Sequence, residues 1–219
     1  MADAARTAVR VVMLGAPGAG KGTQAERFAK AHGIPRISTG DILREAVSEG
    51  TPLGRAAKAT MDAGRLVSDE IMIGVVKERL ERKDADHGFV LDGFPRTVAQ
   101  AEALDKMIDG SAPLVIVDVE VPEDVLVKRL AGRRICGNCG WNALPAIERC
   151  ARCGGPLVQR SDDGEQVVRE RLRIYANSTQ PLVDFYSRRA TFRSVDGDQT
   201  LESVAADLAA AVASVVGGR

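Results

Sequence analysis

The segment Val9-Arg-Val-Val-Met-Leu14, followed by Gly15-Ala-Pro-Gly-Ala-Gly-Lys21-Gly-Thr23, decides the fold. The β-branched apolar run predicts a buried parallel strand, because such strands are covered on both faces. Residues Lys21 to Ala31 predict a helix that Gly33 ends. The glycines between strand and helix let backbone N–H groups wrap an anion without a Cβ clash, and Lys21 adds a positive charge. This context predicts a phosphate-binding loop.

The loop departs from the pattern Gly-x-x-x-x-Gly-Lys-[Ser/Thr] at one position. Gly22 stands where the Mg²⁺-binding hydroxyl is usual, and Thr23 follows it. A direct contact between a hydroxyl and magnesium is therefore not predicted. The alternative is a strand–helix turn that binds nothing, which Lys21 and both flanks disfavour.

Further apolar runs and helical patterns alternate along the chain, which predicts an α/β fold with a parallel sheet flanked by helices on both faces. The predicted strands after the first are near Arg36–Ser38, Phe89–Leu91, Leu114–Val119 and Phe192–Val195. The predicted helices include Thr39–Glu49, Pro52–Ala63, one that Ser68 caps, Pro122–Ala131, one that resumes near Glu165, and Leu201–Val216. Residues 132–163 break this pattern and predict an inserted module.

Composition and charge narrow the class of protein. Thirty basic and thirty acidic residues among 219 give a formal net charge of zero, which argues against a general nucleic-acid or membrane-surface binder. We see no signal peptide in Met1 to Arg10 and no apolar stretch near the ~20 residues of a membrane span. A cytoplasmic location is therefore expected. The two histidines, His32 and His87, are assigned no role.

All four cysteines lie in the inserted module, as two Cys-x-x-Cys-Gly knuckles. Four thiolates suit a tetrahedral structural Zn²⁺ site, and paired knuckles in a reducing compartment favour a metal over two disulfides. The intervening loop of ten residues, Gly140 to Arg149, is shorter than the usual zinc-ribbon spacing. The predicted ligands are Cys136, Cys139, Cys150 and Cys153.

Three more segments make the interpretation specific: Ile37-Ser-Thr-Gly-Asp-Ile-Leu-Arg44, Phe89-Val-Leu-Asp-Gly-Phe-Pro-Arg-Thr97 with Gln100, and Gly132-Arg-Arg134. Together with the glycine loop, they resemble the adenylate kinase family of nucleoside monophosphate kinases, from Val9 to about Val204. The resemblance implies reversible phosphoryl transfer from MgATP to AMP, giving two ADP. It also suggests a monomer, and the neutral net charge predicts no nucleic-acid or membrane partner. Relatives that use UMP or CMP usually carry alanine at the position of Thr39.

The resemblance implies a role for each matching position. The implied ATP contacts are Gly18, Ala19, Gly20, Lys21, Gly22, Thr23, Arg133, Asn142, Ala143 and Gln199. The implied AMP contacts are Thr39, Arg44, Arg65, Leu66, Val67, Gly93, Phe94, Pro95, Arg96, Gln100, Arg160 and Arg171. The implied organisation is a core of residues 1–38, 68–131 and 164–219, an AMP-binding segment 39–67 and a zinc-binding lid 132–163.

The chemistry agrees with these roles, because the attacking phosphate oxygen is already ionised and needs no general base. Catalysis is then alignment plus stabilisation of charge. The expected catalytic residues are Lys21, Arg96, Arg133, Arg160 and Arg171. Asp92, at the end of an apolar strand, is expected to orient Mg²⁺-bound water. A lid would keep water from the phosphoryl group, with Asp162-Asp163-Gly164 as its hinge.

Other interpretations stay open at this point. One is a related kinase that uses UMP or CMP. Another is a P-loop switch or a zinc ribbon that binds nucleic acid, although no Asn-Lys-x-Asp motif occurs and the ribbon has one aromatic residue, Trp141. In the short lid, Asn142 and Ala143 replace the family's usual threonine and tyrosine. Trp141 covers either the ATP or the ribbon.

Overall fold

The computed structural model describes residues 8–108, 110–143 and 147–217. Its strands are β1 (Val9–Leu14), β2 (Arg36–Ser38), β3 (Gly88–Asp92), β4 (Leu114–Glu120), β5 (Arg134–Cys136), β6 (Leu157–Gln159) and β7 (Phe192–Asp196). Its α-helices are α1 (Lys21–His32), α2 (Thr39–Ser48), α3 (Pro52–Asp62), α4 (Asp69–Leu80), α5 (Val98–Met107), α6 (Glu123–Ala131), α7 (Glu165–Ile174), α8 (Gln180–Ser187) and α9 (Leu201–Val216). Short 3₁₀ turns at Lys83–Ala85 and Ser161–Asp163 and a π-helical turn at Tyr175–Thr179 connect them.

A parallel sheet forms the core, with strands in the order β2-β3-β1-β4-β7. The side chains of β1 alternate between its two faces, as the pleat requires. Val11 and Met13 pack with Phe28 of α1 on one face, and Val12 and Leu14 pack with Leu104 of α5 on the other. Both faces are therefore covered by helices, and the predicted fold class is confirmed.

The order of the strands fixes where a ligand can bind. The strand β1 lies beside β4, and the connections that leave the two strands run in opposite directions across the sheet, from β1 towards β2 and from β4 towards β7. Ligands of open α/β sheets bind in the crevice at such a point. The glycine loop lies directly after Leu14, and Asp92 ends the neighbouring strand in register with Met13.

Two segments depart from the layered core. The helices α2 and α3 pack closely, since a Cβ built on Gly54 would lie only 1.9 Å from the carbonyl oxygen of Ala46. The strands β5 and β6 form a separate antiparallel pair that carries the cysteine knuckles. These two segments correspond to the predicted insertions, although the predicted domain boundaries stay predictions.

Two local predictions about helix starts need correction. Ser68 occupies the N-cap position of α4, but its side chain makes no capping hydrogen bond. The start of this helix is held instead by Asp69, whose carboxylate accepts hydrogen bonds from Thr97 Oγ1 at 2.9 Å and Gln100 Nε2 at 2.7 Å. Pro122 is the N-cap residue of α6, and the helix itself begins at Glu123.

No helix within the described ranges combines the length and the apolar character that a membrane crossing requires.

Candidate active site

A cavity of about 700 Å³ opens at the carboxyl end of β1, and the glycine loop forms its floor. Gly18 and Gly20 have φ angles of 89° and 94°, which residues with a Cβ rarely adopt. All six predicted loop residues line the cavity: Gly18, Ala19, Gly20, Lys21, Gly22 and Thr23. The loop therefore has the backbone shape that a phosphate requires.

Lys21 is the half-buried cation of this loop. Its Nζ donates a hydrogen bond to the carbonyl oxygen of Ala16 at 2.8 Å. Burial lowers the pKa of Lys21 from 10.5 to about 8. Asp92 opposes this shift, whereas Arg96, Arg171 and Arg133 add to it. The lysine therefore lies in a site that already has excess positive charge.

The cavity wall is strongly cationic, although the chain as a whole is neutral. Among the described residues, ten cationic side chains line the cavity, against two carboxylates, those of Asp41 and Asp92. The cationic residues are Lys21, Arg36, Arg44, Arg96, Lys128, Arg129, Arg133, Arg134, Arg160 and Arg171. Such an excess favours a ligand with several negative charges, because focused charge attracts counter-ions.

A second cavity, of about 70 Å³, adjoins the first beside α2. Four arginines line both cavities: Arg44, Arg96, Arg160 and Arg171. Burial, followed by the charge of Arg171, lowers the pKa of Arg96 to about 10, and burial, followed by the charge of Arg44, does the same for Arg160. The shared arginines therefore stand where negative groups from two ligands would meet.

The lining of the second cavity includes most of the predicted AMP contacts, namely Thr39, Arg44, Arg65, Leu66, Val67, Gly93, Arg96, Gln100, Arg160 and Arg171. Thr39 Oγ1 donates to the Gly93 carbonyl at 2.8 Å, which joins α2 to the end of β3. Gln100 is held at both ends of its amide, since Oε1 accepts from Arg96 N at 2.8 Å and Nε2 donates to Asp69. These bonds fix the cavity wall before any ligand binds.

The other predicted residues lie in different surroundings. Phe94 is 1% exposed and packs in the core, so its side chain reaches neither cavity. Pro95, Asn142, Ala143 and Gln199 line the large cavity. The Gln199 amide is already engaged, because Nε2 donates to the Asp196 carbonyl and to the Asp207 carboxylate.

Three of the predicted catalytic arginines are held by carboxylates that were predicted to form a hinge. Asp163, 2% exposed, accepts hydrogen bonds from Arg133 Nε at 2.7 Å and Arg171 Nη1 at 3.0 Å. Asp162 accepts from Arg160 Nε at 2.9 Å. These aspartates therefore orient the predicted catalytic cations, a role that the local sequence did not indicate.

Arg36 is a further site residue that sequence reasoning missed. Its guanidinium donates to Asp92 Oδ2 at 2.8 Å and lies 3.0 Å from Asp41. The signal was available, because Arg36 begins the strand that leads into the Ser-Thr-Gly-Asp motif. A lone arginine at the start of a strand is usually a surface charge, so only its contacts in the folded protein show that Arg36 belongs to the site.

The four cysteine sulfurs converge within 4.8 Å of one another. The closest pairs are Cys136–Cys153 at 3.4 Å and Cys139–Cys150 at 3.6 Å, far from the ~2.05 Å of a disulfide. Sulfurs placed ~2.3 Å from one tetrahedral zinc would be about 3.8 Å apart. The cluster therefore has the donor type, number and spacing of a tetrahedral metal site, and the described cysteines form no disulfide.

The two knuckles have the same local shape. The N–H groups of Asn138 and Arg152 point to the sulfurs of Cys136 and Cys150 at 3.4 Å and 3.3 Å. Each knuckle closes at a glycine with a φ angle near 70°. Trp141 is half-buried and does not line the cavity. Its carbonyl accepts a hydrogen bond from the N–H of Cys136. These observations favour the alternative in which Trp141 covers the cysteine ribbon and not the ATP.

Comparison with known proteins agrees with this geometry. The family model described as "Adenylate kinase" matches residues 13–191. The chain is 51% identical over 204 residues to an adenylate kinase of Thermodesulfovibrio yellowstonii, covering 90% of this chain and 95% of the relative. It is 50% identical to one of Archaeoglobus fulgidus, covering 90% and 94%, and 49% identical to one of Bacillus subtilis, covering 91% and 96%.

Proposed function

Because this chain belongs to the adenylate kinase family, it catalyses reversible phosphoryl transfer from ATP to AMP, and we propose that its two adjoining cavities hold the two nucleotides. The observation that carries the proposal is the set of arginines that both cavities share. They separate the glycine loop from the smaller cavity, so phosphates bound on either side would meet at the same guanidinium groups. ATP belongs on the loop side and AMP on the side of α2, where the second cavity, of about 70 Å³, has room for only part of the nucleotide.

Transfer in this site depends on alignment and charge. The attacking AMP oxygen is already ionised, so the protein has to bring two anions together and stabilise the charge that moves between them. Arginine suits this task, because its planar fork binds phosphate oxygens in pairs. The proposed catalytic residues are Lys21, Arg96, Arg133, Arg160 and Arg171. Asp162 and Asp163 hold the last three in place.

The proposal includes Mg²⁺ carried with ATP, which would neutralise phosphate charge during transfer. Asp92 fits this ion: its Oδ2 would lie 3.2 Å from a Cβ built on Gly22, beside the phosphate loop. A single carboxylate is enough, because magnesium takes its other ligands from water and phosphate.

We also propose that the cysteine cluster holds one structural Zn²⁺ ion. Four thiolates fill a tetrahedral site and leave no open position for substrate, so this ion braces the lid and takes no part in transfer. A thiolate site is stable where cysteines stay reduced, which supports a cytoplasmic location. We further propose that the protein is a monomer and that its binding partners are ATP, AMP and ADP.

The decisive test is a coupled assay with ATP and each of AMP, UMP, CMP and GMP. We expect ADP formation that depends on AMP and is much slower with the other three. The Lys21→Met variant is the control: it should fold while losing roughly 10²-fold or more of kcat, since a buried positive charge at the transferred phosphate is removed. ATP hydrolysis without AMP-dependent ADP formation would contradict the proposal.

A further inference from the structure

The space above Gly22 contains polar groups from three distant parts of the chain. A Cβ built on Gly22 would lie 3.2 Å from Arg36 Nη2, 3.2 Å from Asp92 Oδ2 and 3.8 Å from Asn142 Nδ2. In phosphate loops with serine or threonine at this position, a hydroxyl occupies that space and contacts the magnesium–phosphate group. Here the position is glycine, the side chains of Arg36 and Asp92 crowd the space where a Cβ would lie, and the Asn142 side chain of the lid lies beside them.

The Asn142 amide is free to bind a ligand there. Its side chain lines the large cavity and is half-buried. Within residues 8–108, 110–143 and 147–217, no hydrogen-bond partner is found for its amide. The other two groups above Gly22 are already engaged, because Arg36 donates to Asp92 at 2.8 Å. Asn142 therefore offers an unused donor that faces the end of the loop where the phosphates bind.

Backbone hydrogen bonds on both sides of Asn142 fix its position. Cys136 N donates to the Trp141 carbonyl at 2.8 Å, and Ala143 N donates to the Arg134 carbonyl at 2.9 Å. Asn142 itself forms an antiparallel bridge with Ile135. Since β5 follows Arg133 directly, the lid arginine and the lid amide belong to one short antiparallel unit. They enter the cavity together.

We propose that the side-chain amide of Asn142 is a catalytic group, which donates a hydrogen bond from Nδ2 to an ATP phosphate oxygen when the lid is closed. The family resemblance implies a contact with ATP at this position and no more. The geometry assigns the contact to the phosphates at Gly22, with Nδ2 as the donor. This inference rests on the proposed function, since it assumes that ATP phosphates occupy the glycine loop.

The test compares Asn142→Ala and Asn142→Asp with Asn138→Asp. The Asp variant at position 142 keeps the size of the side chain but places a negative charge at the phosphates. Asn138 is an exposed residue of the same lid that does not line the cavity, so its variant controls for added lid charge. Steady-state kinetics and the affinity for ATP without magnesium are measured for each, the latter from the fluorescence of Trp141, the single tryptophan.

For Asn142→Ala, loss of one hydrogen bond should lower kcat about 10-fold and change the KM for AMP by less than about twofold. For Asn142→Asp, repulsion should lower kcat by roughly 100-fold and weaken magnesium-free ATP binding about 10-fold. Asn138→Asp should behave as the unchanged protein does.

Two results would overturn the inference. One is a kcat and a magnesium-free ATP affinity within about twofold of the unchanged protein in both Asn142 variants. The other is an equal defect in Asn138→Asp, since general lid acidity would then explain the effect. If the unchanged protein forms no ADP from ATP and AMP, the proposed function fails. The affinities of the three variants for ATP without magnesium still test whether Asn142 contacts the phosphates, because that measurement does not depend on activity.

Discussion

The charge state of Lys21 is set by its surroundings. A lysine in water keeps its proton far above neutral pH, whereas this one is enclosed by the glycine loop and faces three arginines. Burial and like charge both disfavour the ammonium, and the Asp92 carboxylate offsets only part of that effect. ATP phosphates would reverse the balance, because they bring the missing negative charge.

A pH dependence follows from this single residue. The pKa of Lys21 is lowered from 10.5 to about 8, so the free protein loses this charge as the pH rises through 8. We expect kcat/KM for ATP to fall above that pH, because kcat/KM reports the free enzyme. The value of kcat should begin to decline at a higher pH than kcat/KM does, because bound phosphates stabilise the charged form of Lys21.

A Lys21→Arg variant provides the comparison, because its guanidinium stays charged throughout. The step near pH 8 should vanish from its profile, even if its activity is low. A profile of the unchanged protein that stays flat to pH 10 would contradict the assignment.

At the scale of elements, the packing of α2 on α3 depends on one missing side chain. Gly54 lies under Ala46 so closely that a Cβ would clash with the carbonyl oxygen at 1.9 Å. Gly74 of α4 is the opposite case, since a Cβ there would meet nothing within 4 Å. Close packing therefore requires glycine at position 54 but not at position 74. Substitution by alanine should lower the free energy of unfolding at Gly54 and raise it at Gly74.

Gly54→Ala should destabilise the protein by about 1–3 kcal/mol, through overpacking of the two helices. It should also raise the KM for AMP more than the KM for ATP, because α2 carries Thr39 and Arg44. Gly74→Ala should stabilise by up to about 1 kcal/mol, since alanine is the better helix former. Urea denaturation measures both free energies of unfolding, and equal values for the two variants would show that close packing is not the cause.

The ribbon of β5 and β6 is an element whose stability depends on its cysteines. It is too small to bury a core of its own, so a metal is the expected brace. We expect elemental analysis to find one zinc per chain in the unchanged protein and none in Cys150→Ser, and we expect this variant to have a lower melting temperature. Much of the activity should remain at moderate temperature, because the loop, the arginines and the backbone bonds beside Asn142 are retained.

Two results would contradict this account of the ribbon. Absence of zinc from protein purified without chelator would reject the metal. Complete loss of activity in a folded, zinc-free variant would show that the ion does more than brace the lid.

At the scale of the whole molecule, the lid rests on the core through both charge and shape. Arg152, in the second knuckle, pairs with Glu26 of α1, and Asn142 lies over Gly22, one helical turn earlier. The lid thus brings Arg133 towards Lys21 and Arg96, and these like charges repel without an anion between them. Ligand-free protein should therefore open, and bound phosphates should close it.

Small-angle X-ray scattering tests this motion without labels. The radius of gyration should shrink when a bisubstrate analogue that joins ATP to AMP is added. We expect this decrease because residues 132–163, and to a smaller extent residues 39–67, close over the analogue. The Lys21→Met variant, which binds phosphate less well, should need more analogue for the same change. An identical radius of gyration in free and bound protein would count against lid closure.

The sequence by itself determined the fold class, and it predicted the glycine loop, the cluster of four cysteines and most of the residues that line the second cavity. These features are encoded locally: β-branched runs, glycines at turns and short motifs fix the backbone of the segment that contains them. Elements such as Leu201–Val216 were predicted to the residue for the same reason. The Ser68 cap was the exception, because the tertiary contacts of Asp69 fix that helix start.

Only the tertiary structure decided which charges meet. The pairing of Arg36 with Asp92, the clamp of Asp163 on two arginines and the position of Asn142 over Gly22 all join segments that are far apart in the chain. A charged side chain is equally compatible with solvent and with a site, so its local sequence does not reveal its partner. Burial and proximity, which exist only in the folded molecule, supply that information and also set the pKa of Lys21.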